Sequence, residues 1–339
     1  MEWFVAHRGS QNMELYNCSQ MTPEEWTLKD GVKHPGWGAI SLVYGIIIEL
    51  LYIPCLIVIR SKEFFSHSCF KIMFFLGVID MMAICVNSII SGVLLIEGAV
   101  FCSHPEFIYV SGAFGLGLWC MACMICLVLV INRLMDILKK ELVDAVFDGQ
   151  RTNIILLLAF LYGLYFTLFT PPLLFASNYG AWFFDAFIFP NRTLEYQNYL
   201  HSANNVFIVG FTCFLYAAFC FALGRRFHEA LTDSNSHRRI HNQIFLQSTV
   251  ICMVNLFASV IYVVMQFVPV HPFYIIVGHV SWQAGHGCPA IIYLAMNRTI
   301  RNGVLRLLRL KRFGARINTN PTASCGRMQT APQSDSSRH

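Results

Sequence analysis

Residues 107–131, FIYVSGAFGLGLWCMACMICLVLVI, contain no charged side chain and are followed at once by Asn132 and Arg133. A bilayer's hydrocarbon core is about 30 Å thick, and a helix needs about 20 apolar residues to cross it. Hydrocarbon offers no partner to backbone N–H and C=O groups, so a spanning run is either a helix or a strand of a closed barrel. Barrel strands alternate apolar and polar residues over about ten positions. This run does not alternate, so it reads as a transmembrane helix.

Working outward from Phe107–Ile131, six more runs have the same character: Trp37–Ile59, Ile72–Ile96, Ile154–Ala176, Ala203–Leu223, Ile244–Val268 and Phe273–Met296. The fourth in chain order ends in Pro171-Pro172, which breaks its last turn. The composition agrees with seven spans. Of 339 residues, 56 % are hydrophobic and only 13 % charged, with mean hydropathy +0.54, whereas a soluble domain carries roughly a quarter of its residues charged. Most of the 13 cysteines lie inside apolar runs, where a thiol behaves as a small hydrophobe rather than as part of a disulfide framework.

The loops after spans 1, 3 and 5 and the C-terminal tail hold 20 of the 24 Lys and Arg; the other four are Arg8, Lys29, Lys33 and Arg192. Basic residues stay on the cytoplasmic side, which predicts an extracellular N-terminus and a cytoplasmic C-terminus. The +5 net charge is thus a topology signal and not one for nucleic acid. Residues 1–36 lack an apolar leader, so the first span is expected to start insertion itself. The glycosylation sequons at Asn17 and Asn191 fall on the predicted outer side, and a third at Asn297 falls on the inner side. Cys18 and Cys102 are the cysteines clearly placed outside, where oxidising conditions favour a bond between them; two free thiols are the alternative.

Ionisable groups inside a span are costly and usually face the bundle interior. Glu49, Asp80 and His286 each lie nine or ten residues from the cytoplasmic end of their spans, about 15 Å deep at 1.5 Å per residue. They are expected to form one buried polar cluster in which two carboxylates share a proton, a cation or the imidazole. The alternative is that each bonds separately to backbone carbonyls. His279 and His286 share a helix face, yet a zinc site takes three or four ligands, so they read as packing residues. No metal, cofactor or catalytic constellation is legible, and the chain does not read as an enzyme.

Several motifs resemble those of G-protein-coupled receptors. Asn132-Arg133 stands where rhodopsin-like receptors carry an acid followed by Arg, Asp80 matches the buried Asp of span 2, and Cys288-Pro289-Ala290-Ile291-Ile292-Tyr293 is an approximate Asn-Pro-x-x-Tyr motif. The set is most similar to nematode serpentine chemoreceptors of class T: Tyr16-Asn17-Cys18-Ser19, Tyr52-Ile53-Pro54, Lys71 to Gly77 with Asp80, Asn132-Arg133, and Tyr293 to Arg301. That resemblance implies a seven-helix plasma-membrane receptor of sensory cilia that couples a small environmental molecule to a heterotrimeric G protein. It also implies coupling through Asn132, Arg133 and Tyr293.

A ligand pocket is expected between the outer halves of spans 3, 5, 6 and 7, lined by Phe114, Trp119, Asn205, Tyr262, Gln266 and Trp282, with Asn204, Phe207, Phe273 and Tyr274 nearby. Such a lining suits a small, mostly apolar compound. Four segments follow: an extracellular segment over 1–36, the seven-helix domain over 37–296, a basic amphipathic helix over 297–313 and a disordered tail over 314–339. Ile300, Val304, Leu307 and Leu308 share the apolar face of that helix, which suits the anionic inner leaflet. A seven-helix carrier or channel is the alternative function; it would show internal repeats or broken helices, and the sequence has neither.

Overall fold

The computed structural model describes residues 1–229, 250, 253–265 and 271–309. Two short helices come first, α1 (Glu2–Ala6) and α2 (Pro23–Asp30). Helix α2 starts at a capping box, with Thr22 accepting from the Glu25 amide and Glu25 accepting from the Thr22 amide, which satisfies two otherwise orphaned donors. The first spanning helix is α3 (Pro35–Ile59), followed by one turn, α4 (Lys62–Phe65). Helix α5 (Ser68–Glu97) stops at Gly98, whose left-handed φ of 76° ends helices without a Cβ penalty. Then come α6 (Pro105–Leu138), α7 (Lys140–Phe147) and α8 (Gln150–Phe169). The last four are α9 (Tyr199–Glu229), α10 (Met253–Met265), α11 (Pro272–Met296) and α12 (Arg298–Leu307).

Helices α3, α5, α6, α8, α9, α10 and α11 form a seven-helix bundle. Among the described residues, five of them are long and apolar enough to cross a membrane. Helix α11 is 25 residues long, but its polar face of His279, Gln283 and His286 is turned inward and buried. Helix α6 is the axis: 72 % of its apolar window is buried, against 28 % for α8. The outer faces carry exposed apolar side chains such as Ile46, Ile47, Leu50, Leu157, Leu158 and Phe214, the inverse of a soluble surface and suited to lipid.

Without a hydrophobic drive between helices in lipid, close packing relies on small residues. Gly38 of α3 faces Gly92 of α5, and a Cβ on either would lie within 2.7 Å of the other's carbonyl oxygen. One turn deeper, Ser88 Oγ donates to Ser41 O at 2.6 Å and Ser41 Oγ donates to Ser88 O at 3.0 Å. Gly117 and Gly163 bring α6 and α8 together in the same way.

Several boundaries differ from the sequence reading. The fourth span ends at Phe169, not Ala176; Pro171-Pro172 stop it, and Leu174–Ala176 instead form strand β1, antiparallel to β2 (Ala181–Phe183) with Phe175 opposite Trp182. The third span continues to Leu138, so Asn132 and Arg133 lie within the helix rather than after it. Of the sixth expected span, Met253–Met265 is described as helix; Ile244 and Val268 lie outside the described residues, as do Phe313 and the tail.

Candidate ligand-binding and coupling site

The end of the bundle that carries the N-terminal segment, here the upper end, is covered. Cys18 and Cys102 are joined by a disulfide across 84 positions, with Cα atoms 5.6 Å apart. Beside it Tyr16 packs edge-on against Phe101, Tyr109 and Tyr196. Burial pushes the Tyr16 phenol well above its ordinary range, and the neighbouring Tyr109 and Tyr196 push the same way, so the ring stays neutral. Tyr196 Oη donates to Leu15 O at 2.6 Å, and Ser10 N donates to Glu106 Oε1 at 3.0 Å. Arg192 bridges Glu14 at 2.6 Å and Glu195 at 2.7 Å. The β1–β2 hairpin closes the other side, its Trp182 Nε1 donating to Ser91 Oγ at 2.8 Å. Asn191 is exposed, whereas Asn17 is half-buried and uses its amide to donate to Gln11 O at 3.0 Å.

Beneath this cover lie some of the expected pocket residues. Trp119 of α6 donates from Nε1 to Asn205 Oδ1 of α9 at 3.1 Å, and its ring sits 6.2 Å from Tyr262 of α10. Tyr162 Oη donates to Asn204 Oδ1 at 2.7 Å. Trp282 is buried near Gly115 of α6. Phe114 does not line this interior: it is 42 % exposed, on the face of α6 turned away from the bundle, 100° from Gly115. Phe207, Phe273 and Tyr274 are likewise exposed, and Gln266 lies outside the described residues. Lower down, Cys123, Cys126, Leu127, Ile208, Leu215 and Asn255 line an apolar crevice between α6, α9 and α10.

At mid-depth, His286 Nδ1 and Asp80 Oδ1 are 2.7 Å apart, with both side chains 2 % exposed. Tyr52 Oη donates to Asp80 Oδ2 at 2.9 Å and reaches His286 O at 2.7 Å. The group therefore ties α3, α5 and α11 at one level, with Trp119 edge-on to His286 at 5.9 Å. Glu49 is not part of it. The buried stripe of α3 runs through Ser41, Gly45, Ile48, Tyr52, Cys55 and Ile59, and Glu49 falls one residue off that stripe, on the seam where Cys85 Sγ lies 3.7 Å from its Oε1. Depth alone placed Glu49 correctly; rotation about the helix axis took it out, and Tyr52 stands in its place.

At the lower end, Asn132 Nδ2 donates to Ser68 Oγ at 3.1 Å, and Arg133 is 5 % exposed. Tyr293 is fully buried, and its hydroxyl finds no hydrogen-bond partner among the described residues. Asn297 caps α12, its Oδ1 accepting from Ile300 N at 3.1 Å. Ile300 and Val304 are buried, and Gly303 lets α12 approach Val58 of α3 so closely that a Cβ would meet it at 2.5 Å. Much of the apolar face of α12 is thus docked on protein, with Leu307 and Leu308 left exposed.

Comparisons with known proteins agree with this geometry. The profile of the family described as "Serpentine type 7TM GPCR chemoreceptor Srt" matches residues 3–317. The chain is 27 % identical over 305 residues to "Serpentine receptor class T-55" of Caenorhabditis elegans, covering 89 % of this chain and 83 % of that one. Its fold is similar to the crystal structure of squid rhodopsin, with TM-score 0.57, 14 % identity, and 89 % and 97 % of the two chains covered.

Proposed function

The chain belongs to the Srt family of serpentine seven-transmembrane chemoreceptors, and from that premise we propose that it binds a small environmental molecule in the upper half of the bundle and activates a heterotrimeric G protein at the lower end. The N-terminus is extracellular in this reading, which the concentration of Lys and Arg in the sequence after spans 1, 3 and 5 and in the C-terminal tail supports, and the plasma membrane of sensory cilia is its site of action. The observation that carries the proposal is the polar column through the bundle: Trp119–Asn205 above, Asp80–His286–Tyr52 in the middle, and Asn132–Ser68 with Arg133 below.

Such a column gives a ligand something to bias, because its layers are carried on different helices and each layer has a discrete set of hydrogen bonds. Arg133 and Tyr293 are both buried here, so coupling requires the lower ends of the helices to separate and uncover them. We read the disulfide-held cover as the feature that shapes access from outside. The test is a panel of volatile and soluble compounds applied to cells that express the receptor with a G protein. A compound that raises nucleotide exchange supports the reading. Ligand-driven ion flux without exchange contradicts it.

A further inference from the structure

Helix α5 is not α-helical throughout. Residues Cys85–Ile90 form a π-helical turn, a distortion that commonly marks a functional site. Asn87 sits in it, fully buried, and neither its Nδ2 nor its Oδ1 has a hydrogen-bond partner among the described residues. Two further orphans lie on the facing helix α11: His279 Nδ1 and Trp282 Nε1, in residues 1 % and 3 % exposed. The three residues adjoin one another. Gln283 Nε2 donates to the Asn87 carbonyl at 2.7 Å and lies 3.1 Å from His279 Nε2, and the His279 and Trp282 rings meet edge-on at 6.0 Å.

Four unpartnered polar atoms on three neighbouring buried residues are unusual, because buried polar groups are almost always paired. The neighbouring groups are not short of partners: Ser41, Ser88 and Gln283 are all bonded. Asn87 lies about ten residues from the upper end of α5, one turn below the Ser91–Trp182 bond of the cover, and is the one buried side chain among the described residues with two unpartnered polar atoms.

We propose that Asn87, His279 and Trp282 form the polar subsite of the ligand pocket, between α3, α5 and α11, and that it takes the hydroxyl or carbonyl group of a small neutral molecule. The inference rests on the chemoreceptor reading above. The chemistry of the site selects the class. Asn87 Nδ2 and Trp282 Nε1 are donors, Asn87 Oδ1 is an acceptor, and the imidazole nitrogen supplies whichever role its tautomer leaves. None of the three carries a formal charge when the imidazole is neutral, so a permanent cation or anion has no counter-charge here. A hydroxyl oxygen, which accepts two bonds and donates one, uses the whole set, whereas a carbonyl oxygen uses its donors alone.

The test compares two molecules that differ only where the subsite acts, cyclohexanol and methylcyclohexane, on the receptor purified into lipid nanodiscs. The readout is the shift in thermal midpoint that each produces at equal concentration, for the natural chain, Asn87→Leu and Trp282→Phe. The alcohol is expected to raise the midpoint of the natural chain by several degrees more than the hydrocarbon. That difference is expected to vanish in both variants, while Asn87→Leu without ligand melts higher than the natural chain because an unpaired amide has been removed. Equal shifts by the two molecules on the natural chain, or a difference that survives in both variants, overturns the proposal. No G protein enters the measurement, so a failure of coupling and a failure of the subsite are read separately.

Discussion

His286 Nδ1 lies 2.7 Å from Asp80 Oδ1 although 206 positions separate the two residues. This pair, with Tyr52, is the point at which α3, α5 and α11 are fastened together inside the bundle. Removing one partner leaves the other buried and unpaired. His286→Leu is expected to cost about 3–5 kcal/mol of stability, and Asp80→Asn, which keeps the shape and still bonds, about 1–3 kcal/mol. Thermal midpoints of both variants and of the double variant check this; the double should fall well short of the sum, because the two share one interaction.

The disulfide between Cys18 and Cys102 closes a loop of 84 residues around α3 and α5. Cross-links of this kind contribute roughly 2–4 kcal/mol. Cys18→Ser, Cys102→Ser and the double variant are expected to lose the same amount as one another, measured as thermal midpoint and as surface expression. Unequal losses would point to a separate role for one sulfur.

The Arg192 bridge gives the cover a pH dependence. The hydrogen bond from Arg192 holds the Glu195 carboxyl below the usual carboxylate range, burial opposing slightly. A depressed carboxyl favours the folded contact above its unfolded titration range and loses that contribution as pH falls through its lowered folded value. Hydrogen exchange in the 193–196 turn should therefore quicken only on acidification below the ordinary carboxylate range. In Glu195→Gln the exchange should already be fast at neutral pH.

The approach of α6 to α8 depends on glycine. A Cβ on Gly163 would stand 2.6 Å from Met121 Cβ and 2.7 Å from Gly117 O, whereas at Gly210 of α9 it would meet nothing within 4 Å. Gly163→Val is expected to abolish surface expression. Gly210→Ala should leave it unchanged or slightly raised, since Ala is about 1 kcal/mol the better helix former; flow cytometry of the two variants distinguishes them.

The bundle was legible because hydrocarbon demands long apolar helices, and every spanning run announces itself. The fourth boundary was not, because Leu174 to Ala176 are as apolar as a span yet pair as a strand within the cover; only Pro171 and Pro172 mark the change. At the site, depth is a linear function of sequence position, and it brings Asp80 and His286 to one level. Azimuth is set by which face of α3 meets its neighbours, which depth does not encode, so Tyr52 and not Glu49 reaches Asp80. Asn87 is not legible for a different reason: a neutral amide inside an apolar run carries no charge signal, and nothing in CVNSII marks a π-helical turn. The covering of the upper end follows from aromatic contacts of Tyr16 and Tyr196 across 180 residues of chain, which no local pattern reveals.

The central claim is that a ligand held above is read out by Arg133 below. The direct measurement is ligand-stimulated nucleotide exchange on a G protein reconstituted with the purified receptor, comparing the natural chain with Arg133→Ala. The account predicts stimulated exchange for the natural chain and its loss in the variant, with ligand still raising the variant's thermal midpoint. Stimulated exchange of equal size in both chains would contradict it.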